Sequence, residues 1–470
     1  MLEKYIENHK NEIIEKLQGL IKIPSVICAS SNPKHPFGEP VNNALEYMLD
    51  LGKNMGFKTK NIDGYCGYIE FGEGKELIGI IGHLDVVPEG DDWTYPPFSG
   101  TIANNKIYGR GSIDDKGPVI SSLFAMKSVM ENANVHKRVR LILGLNEEND
   151  WKCIEYYKKH EELPTIGFSP DADFPCINSE KAILTLYLKM DYSSFLNQDI
   201  VIKDINTYNN AINVVPKLCS TTLSINPNKI AMSDFIKNLK NIIQELNFEI
   251  DIYKIDETEV KLTSHGVSSH SAHPELGVNA ISHLIITLSK IFSIYQIKID
   301  LFDFFDKFIN VNYWGENLEI NFEDDSGKLT LNVGDFYFRN NSIQVGLNFR
   351  VPVTMNKIVI ENSFIEKTSS YSNLDFEILD FKPALYIPKE NRLVKTLCDI
   401  YNEETNSNLD PLSIGGATYA RAFENCVSFG CNFPGCKDMC HQTDEFIDID
   451  NLILSSKIYA KAILALDKLD

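Results

Sequence analysis

Two stretches, Leu77–Ile81 and Val139–Leu145, are almost unbroken in apolar residues, and a shorter one follows near Ile166–Phe168. A strand with one face in water alternates apolar and polar residues. A strand that does not alternate is covered on both faces. Between these runs, apolar residues recur at helical spacing over Glu3–Leu20, Asn42–Met55 and Lys116–Asn132. Helices alternating with doubly covered strands predict an α/β domain with a mostly parallel sheet and helices on either side.

The pattern changes at about Lys181. Ala182–Met190, Thr221–Ile225, Glu259–Thr263, Leu329–Val333 and Ile343–Arg350 alternate apolar and polar residues, the period of half-exposed antiparallel strands. Helical periods over Met232–Leu246, Val278–Ile291 and Ile358–Tyr371 interleave with them, making two successive β/α blocks. After about Leu385 the α/β character returns, with a helix expected over Glu390–Glu404. The economical organisation is one α/β domain formed by 1–180 and 385–470, interrupted by an α+β insertion over 181–384.

Charge and cysteine content exclude several function classes. With 45 Lys+Arg against 65 Asp+Glu, the net charge of −20 argues against a phosphate-backbone partner, and no basic stripe offsets it. No apolar run approaches the ~20 residues that span a bilayer. The first 26 residues read as a charged amphipathic helix rather than a signal peptide. Ten cysteines are too sparse for a secreted disulfide scaffold. A cytoplasmic protein with neither nucleic-acid nor membrane partners is expected.

Four short segments place acids and a histidine directly after strands or before a helix. They are Gly82-His83-Leu84-Asp85, Gly111-Ser112-Ile113-Asp114-Asp115-Lys116, Leu145-Asn146-Glu147-Glu148 and Ser169-Pro170-Asp171-Ala172-Asp173. Ligands of open α/β sheets bind at the carboxyl ends of the strands. A cluster of carboxylates and imidazole delivered to that edge suits zinc, manganese or cobalt. Met439-Cys440-His441-Gln442 adds a second histidine from the far end of the chain. Taken singly, each segment has an ordinary explanation: a satisfied His–Asp pair, two solvated glutamates, or acids capping a helix. Together and in this order they point to a metal site.

The signatures GHLDVVPEGDDWTYPPFSG, YGRGSIDDKGP, NEENDWKCIEYY, SPDADFPCINSEK, INVVP, SSHSAHPELGVNA, NFRVP, GGATYAR and HQTDEF run along nearly the whole chain. With them the sequence resembles the co-catalytic zinc peptidases, the family of aminoacylases, carnosinases and succinyl-diaminopimelate desuccinylase, and especially its PepV-type dipeptidase branch. The resemblance implies a catalytic domain carrying two zinc ions, with manganese or cobalt as alternatives, and an inserted lid.

By that resemblance Asp114 bridges the two metals. His83 and Asp171 complete one metal, and Glu148 and His441 complete the other. Three ligand carboxylates and a bridging hydroxide would balance two Zn²⁺ ions, as a buried site requires. Asp85 would orient the His83 ring. Glu147 would act as general base toward a water between the metals, and His270 would stabilise the oxyanion. Asn213, Arg350, Gly415, Gly416 and Thr418 would contact substrate, Arg350 by pairing with its carboxylate.

His265 and His273 read as surface histidines, and Asp115 and Lys116 as the start of a helix. The doubled insertion implies a monomer, and a lid that closes over substrate would exclude water. Two departures from the family pattern stand out. Ala417 interrupts the glycines of GGATYAR, and Cys426, Cys431, Cys436 and Cys440 crowd the region before His441 without a paired C-x₂-C spacing. They read as reduced thiols.

The function implied is metal-dependent hydrolysis of dipeptides with a free N-terminus, Xaa-His or β-alanyl dipeptides among them. The alternatives are an N-acyl-amino-acid amidohydrolase and a non-catalytic peptide- or metal-binding protein on the same scaffold.

Overall fold

The computed structural model describes residues 1–208 and 211–469. The chain divides into two units, Met1–Glu180 with Leu385–Asp470, and Lys181–Ala384, each with its own apolar core.

The first unit is built on one sheet. Its strand order is Lys58–Ile62, Cys66–Phe71, Arg138–Gly144, Leu77–His83, Ile166–Ser169, Cys426–Ser428, Ile177–Glu180 and Leu385–Tyr386, with Leu412–Ile414 also paired to Ile177–Glu180. The centre, where the unbroken apolar runs lie, is parallel. All seven residues of Leu77–His83 are buried, as expected of a strand covered on both faces. The edges are antiparallel. One edge is a hairpin turned at Asp63 and Gly64, both at positive φ, the Asp-Gly signal of a tight hairpin. The helix Lys116–Asn132 is buried along most of its length and packs against the C-terminal helix Ile449–Leu466.

The helix expected over Glu3–Leu20 is two helices, Leu2–Asn8 and Lys10–Ile21. His9 breaks it. Its ring stacks on Tyr5 at 4.0 Å, and its Nδ1 lies 2.7 Å from the Tyr5 carbonyl oxygen. That oxygen also accepts the His9 N–H, so side chain and backbone share one acceptor.

The second unit holds two four-stranded antiparallel sheets. One runs Thr330–Arg339, Ser342–Val351, Ala182–Asp191, Asp375–Lys382, and the other Ile200–Asn206, Leu218–Ile225, Glu259–His265, Ile250–Lys254. Along Ala182–Met190 buried and half-buried residues alternate without a break, which pins the register, because a one-residue slip would turn the apolar set toward water. Helices Met232–Leu246 and Ala280–Ile294 pack together, the latter also against the second sheet.

Candidate metal centre

The parallel strands bring their carboxyl ends to one edge. His83 is the last residue of its strand and is fully buried. Its backbone N–H donates to Asp115 Oδ2 at 3.0 Å. Gly82 lets this approach happen: a Cβ there would lie 2.6 Å from Asp115 Oδ2 and 2.6 Å from Val119 Cγ2. Asp115 and Lys116 do open the Lys116–Asn132 helix, but neither is only a cap. Asp115 holds the His83 backbone, and the Lys116 ammonium donates to the Ile23 carbonyl at 2.7 Å. Burial lowers Lys116 to a pKa of about 7.

Two groups of three side chains converge here, His83 with Asp114 and Asp171, and Asp114 with Glu148 and His441, their ligand atoms within 4.8 Å of one another in each group. Asp114 belongs to both, one oxygen to each. His83 Nε2 lies 2.9 Å from Asp114 Oδ1, and His441 Nε2 lies 3.1 Å from Asp114 Oδ2. Asp171 Oδ2 is 3.6 Å from His83 Nε2, and Glu148 Oε1 is 3.0 Å from His441 Nε2. A carboxylate splitting its oxygens between two imidazole–carboxylate pairs is the donor set of two divalent cations held side by side, and nitrogen and carboxylate oxygen suit zinc, manganese or cobalt.

The electrostatics agree with that fit. Burial raises the Glu148 carboxyl to about 7, with the Asp114 charge adding to it against the pull of His441. Asp171 is raised by burial and then by Asp114. Burial also pushes Glu147 well above the usual carboxylate range; His83 opposes this, and Asp171, Glu148 and Asp114 reinforce it. Burial pulls the imidazoles down, yet their carboxylate partners win: His441 rises to about 11 and His83 well above its ordinary range. Burial would raise Asp114, but the His441 and His83 imidazoles hold it well below the usual carboxylate range; the crowded Glu147, Glu148 and Asp171, which resist ionising, call for positive charge among them.

Asp85 lies against the His83 ring and has a second task as well. The group nearest the His83 Nδ1 is the Asp85 backbone carbonyl, at 2.9 Å, while the Asp85 carboxylate is 3.5 Å away. That carboxylate accepts the backbone N–H groups of Glu147 and Glu148, each at 3.1 Å. It therefore shapes the turn that presents both glutamates. The Trp151 indole N–H donates to the Glu147 carbonyl at 2.8 Å, and Tyr419 packs its ring edge-on to both Trp151 and His83.

Of the substrate candidates in this unit, Gly415, Gly416 and Thr418 lie in the loop after Leu412–Ile414. The Thr418 hydroxyl is taken up inside the protein, bonded to Glu180 Oε1 and Ser428 Oγ, each at 2.7 Å. Glu180 also accepts from Arg421, whose Nη2 donates to the Gly416 carbonyl at 2.9 Å.

The other candidates sit together in the Lys181–Ala384 unit. Ser271 N–H donates to the Asn213 carbonyl at 2.9 Å, and Val214 bridges to His270. Arg350 is buried and donates through Nε and Nη2 to Ser271 Oγ, at 3.1 and 2.8 Å. His270 and Asn213 are exposed. His265 pairs with Asp251, and His273 with Glu275.

Sequence reasoning passed over Arg110 and Glu445, although both lie inside quoted motifs. Glu445 is fully buried, and its carboxylate accepts from Arg110 Nη1 at 2.7 Å and from the backbones of Gly111 and Ile113, each at 3.0 Å. An arginine between two glycines, and a glutamate four residues after a candidate ligand, were the available signals. All ten cysteines are free thiols, and no candidate cation group among the described residues includes one.

Known proteins match this chain along nearly its whole length. The Bacillus subtilis (strain 168) protein named "Putative dipeptidase YtjP" is 39% identical over 470 residues, 98% of each chain. A Staphylococcus epidermidis (strain ATCC 12228 / FDA PCI 1200) protein likewise named a putative dipeptidase is 34% identical, over 99% of this chain and 98% of its own. The crystal structure of human carnosine dipeptidase 1 superposes with a TM-score of 0.60 at 14% identity, covering 100% of this chain and 98% of that one. Dug1p from Saccharomyces cerevisiae gives 0.58 at 13% identity, with the same coverage. These distant structures share the fold. The model of peptidase family M20/M25/M40 matches residues 79–465, and the chain belongs to that family.

Proposed function

We propose that this protein is a metal-dependent dipeptidase that hydrolyses the peptide bond of dipeptides with a free N-terminus. The observation that carries the reading is the Asp114 carboxylate divided between two imidazole–carboxylate pairs. Family membership and the full-length relatives named as dipeptidases support it. In this reading His83, Asp114 and Asp171 hold one cation, and Asp114, Glu148 and His441 the other. Two divalent cations held there, zinc in our reading and manganese or cobalt by the same donors, would supply Lewis acidity toward the scissile carbonyl and the attacking water.

Glu147, outside both groups of three, takes the proton of that water and returns it to the leaving amine. Asp85 holds the turn that aims Glu147. His270 serves the oxyanion, and Arg350, Asn213 and the Gly415–Thr418 loop receive the substrate's termini. We read the protein as a cytoplasmic monomer, the doubled sheet of the inserted unit supporting the latter; light scattering checks it. No helix among the described residues is long and apolar enough to cross a membrane.

The test is hydrolysis of free and N-acetylated dipeptides, Xaa-His and β-alanyl members included, with chelator, with zinc or manganese restored, and with Glu147→Ala in parallel. Metal-dependent cleavage of the free set that collapses in the variant is expected. Selective cleavage of the acetylated set would make the protein an amidohydrolase, and metal-loaded protein turning over neither set would end the enzymatic reading.

A further inference from the structure

The two cation groups are not held equally. His83 ends a buried strand, and Asp171 follows the strand Ile166–Ser169 with one residue, Pro170, between. His441 instead lies on an irregular segment, its side chain 51% exposed and its backbone at φ 63°. A residue other than glycine in the left-handed region costs roughly 1–2 kcal/mol and persists only where its surroundings enforce it.

A guanidinium holds this segment. Arg110 is 2% exposed. Its Nη2 donates to the carbonyls of His441 at 3.3 Å, Glu89 at 3.2 Å and Pro88 at 3.4 Å, and its Nη1 donates to the Gln442 carbonyl at 3.3 Å. Glu445 fixes that guanidinium at 2.7 Å and, through Oε1, accepts the backbone N–H groups of Ile113 and, at 3.3 Å, Asp114 itself. One buried pair thus ties the backbone that carries His441 to the backbone that carries Asp114.

We infer that Arg110 and Glu445 are positioning residues whose task is to hold His441 in the cation site formed by Asp114, Glu148 and His441; Asp114, which both sites share, is also placed by the start of the Lys116–Asn132 helix. The inference rests on the proposed two-cation reading. A fixed guanidinium on carbonyls and a fixed carboxylate on backbone N–H groups act as supporting partners do at metal sites, where their loss weakens affinity roughly ten- to a hundredfold. The pair makes the second cation's affinity depend on a contact 335 residues apart in sequence. Without it the second cation is held more weakly than the first.

The experiment is zinc titration of chelator-stripped protein by calorimetry, with bound metal counted after dialysis, for wild type, Glu445→Gln, Arg110→Lys, His441→Ala and the His441→Ala/Glu445→Gln double variant. Wild type binding two zinc ions per chain supports the underlying reading, and wild type binding none overturns that reading rather than this one. Glu445→Gln is expected to retain the first zinc at wild-type affinity and to bind the second at least tenfold more weakly, with activity recovered at high zinc.

A general structural role would weaken both sites alike, and that result overturns the inference, as does unchanged binding of both. The double variant should bind zinc like His441→Ala alone; an additional loss would also count against it. If Glu445→Gln fails to fold, Arg110→Lys, which keeps the charge but not the fork, carries the same expectations.

Discussion

Replacing Asp85 by asparagine changes one atom and should disable the turn that presents Glu147 and Glu148. The Asp85 side chain is fully buried, and each carboxylate oxygen accepts one backbone N–H, from Glu147 and from Glu148, at 3.1 Å. Asparagine has one acceptor oxygen, so its amide NH₂ must face one of those two N–H groups. The N–H left facing the amide loses a bond to a charged group, worth about 1.5–3 kcal/mol, a cost concentrated in a two-residue turn.

The turn can relieve that cost by moving, and a displacement near 1 Å of a reacting group lowers rate by about 100-fold. The assays are amide hydrogen exchange at Glu147 and Glu148, denaturant unfolding of metal-free protein, and kcat on a free dipeptide. Asp85→Asn is expected to expose the two amides to rapid exchange, to lose stability in that range, and to lose about two orders of magnitude in kcat. Protected amides with kcat within threefold of wild type would refute the reasoning.

Other parts of the molecule make separate predictions. A Cβ at Gly144 would lie 2.3 Å from Tyr419 Cε2; Gly144→Ala should therefore cost about 1–3 kcal/mol of stability in chemical denaturation, the usual price of overpacking, and an unchanged midpoint would show that the ring yields freely. Glu70 and Arg140 form a buried pair at 2.6 and 2.7 Å, and Arg140 also bonds Tyr157 and lies 3.9 Å from Glu161, so Glu70→Ala should cost about 1.5–3 kcal/mol; a loss below about 0.5 kcal/mol contradicts this.

His283 stacks on Phe248 at 3.8 Å, its Nδ1 has no hydrogen-bond partner among the described residues, and burial lowers its pKa from 6.5 to about 4. Between those values the unfolded chain binds the proton and the folded one does not, so the contribution of neutral His283 is full above pH 6.5 and is lost as pH falls to 4. Melting temperatures of wild type and His283→Phe across that window should diverge; parallel curves would exclude the linkage.

Periodicity made much of the fold readable. The helix Lys116–Asn132 and the helix Met232–Leu246 begin and end where their patterns do, because the apolar repeat that defines each is the surface it buries. The unbroken runs located the parallel centre of the sheet, since only a doubly covered strand can dispense with polar residues. The antiparallel edges were not readable in that way: Lys58–Ile62 is mostly polar and exposed, and its place depends on a turn and a neighbour. The break at His9 was hidden as well, because the residues on either side keep one helical apolar face while a single side chain competes for a carbonyl.

The candidate site shows the same division. The sequence alone determined which chemistry is available, since His83, Asp114, Glu147, Glu148 and Asp171 sit within short motifs at strand or helix ends, and the polarity of such ends is a local property. Only the tertiary structure decided how those groups are held. The Asp85 carboxylate serves two amides 62 and 63 residues away, and Glu445 closes on Arg110 across 335 residues. Such bonds leave no periodicity or spacing in the chain. Their strength comes from burial, which removes water as a competing partner, and burial exists only once the fold has formed.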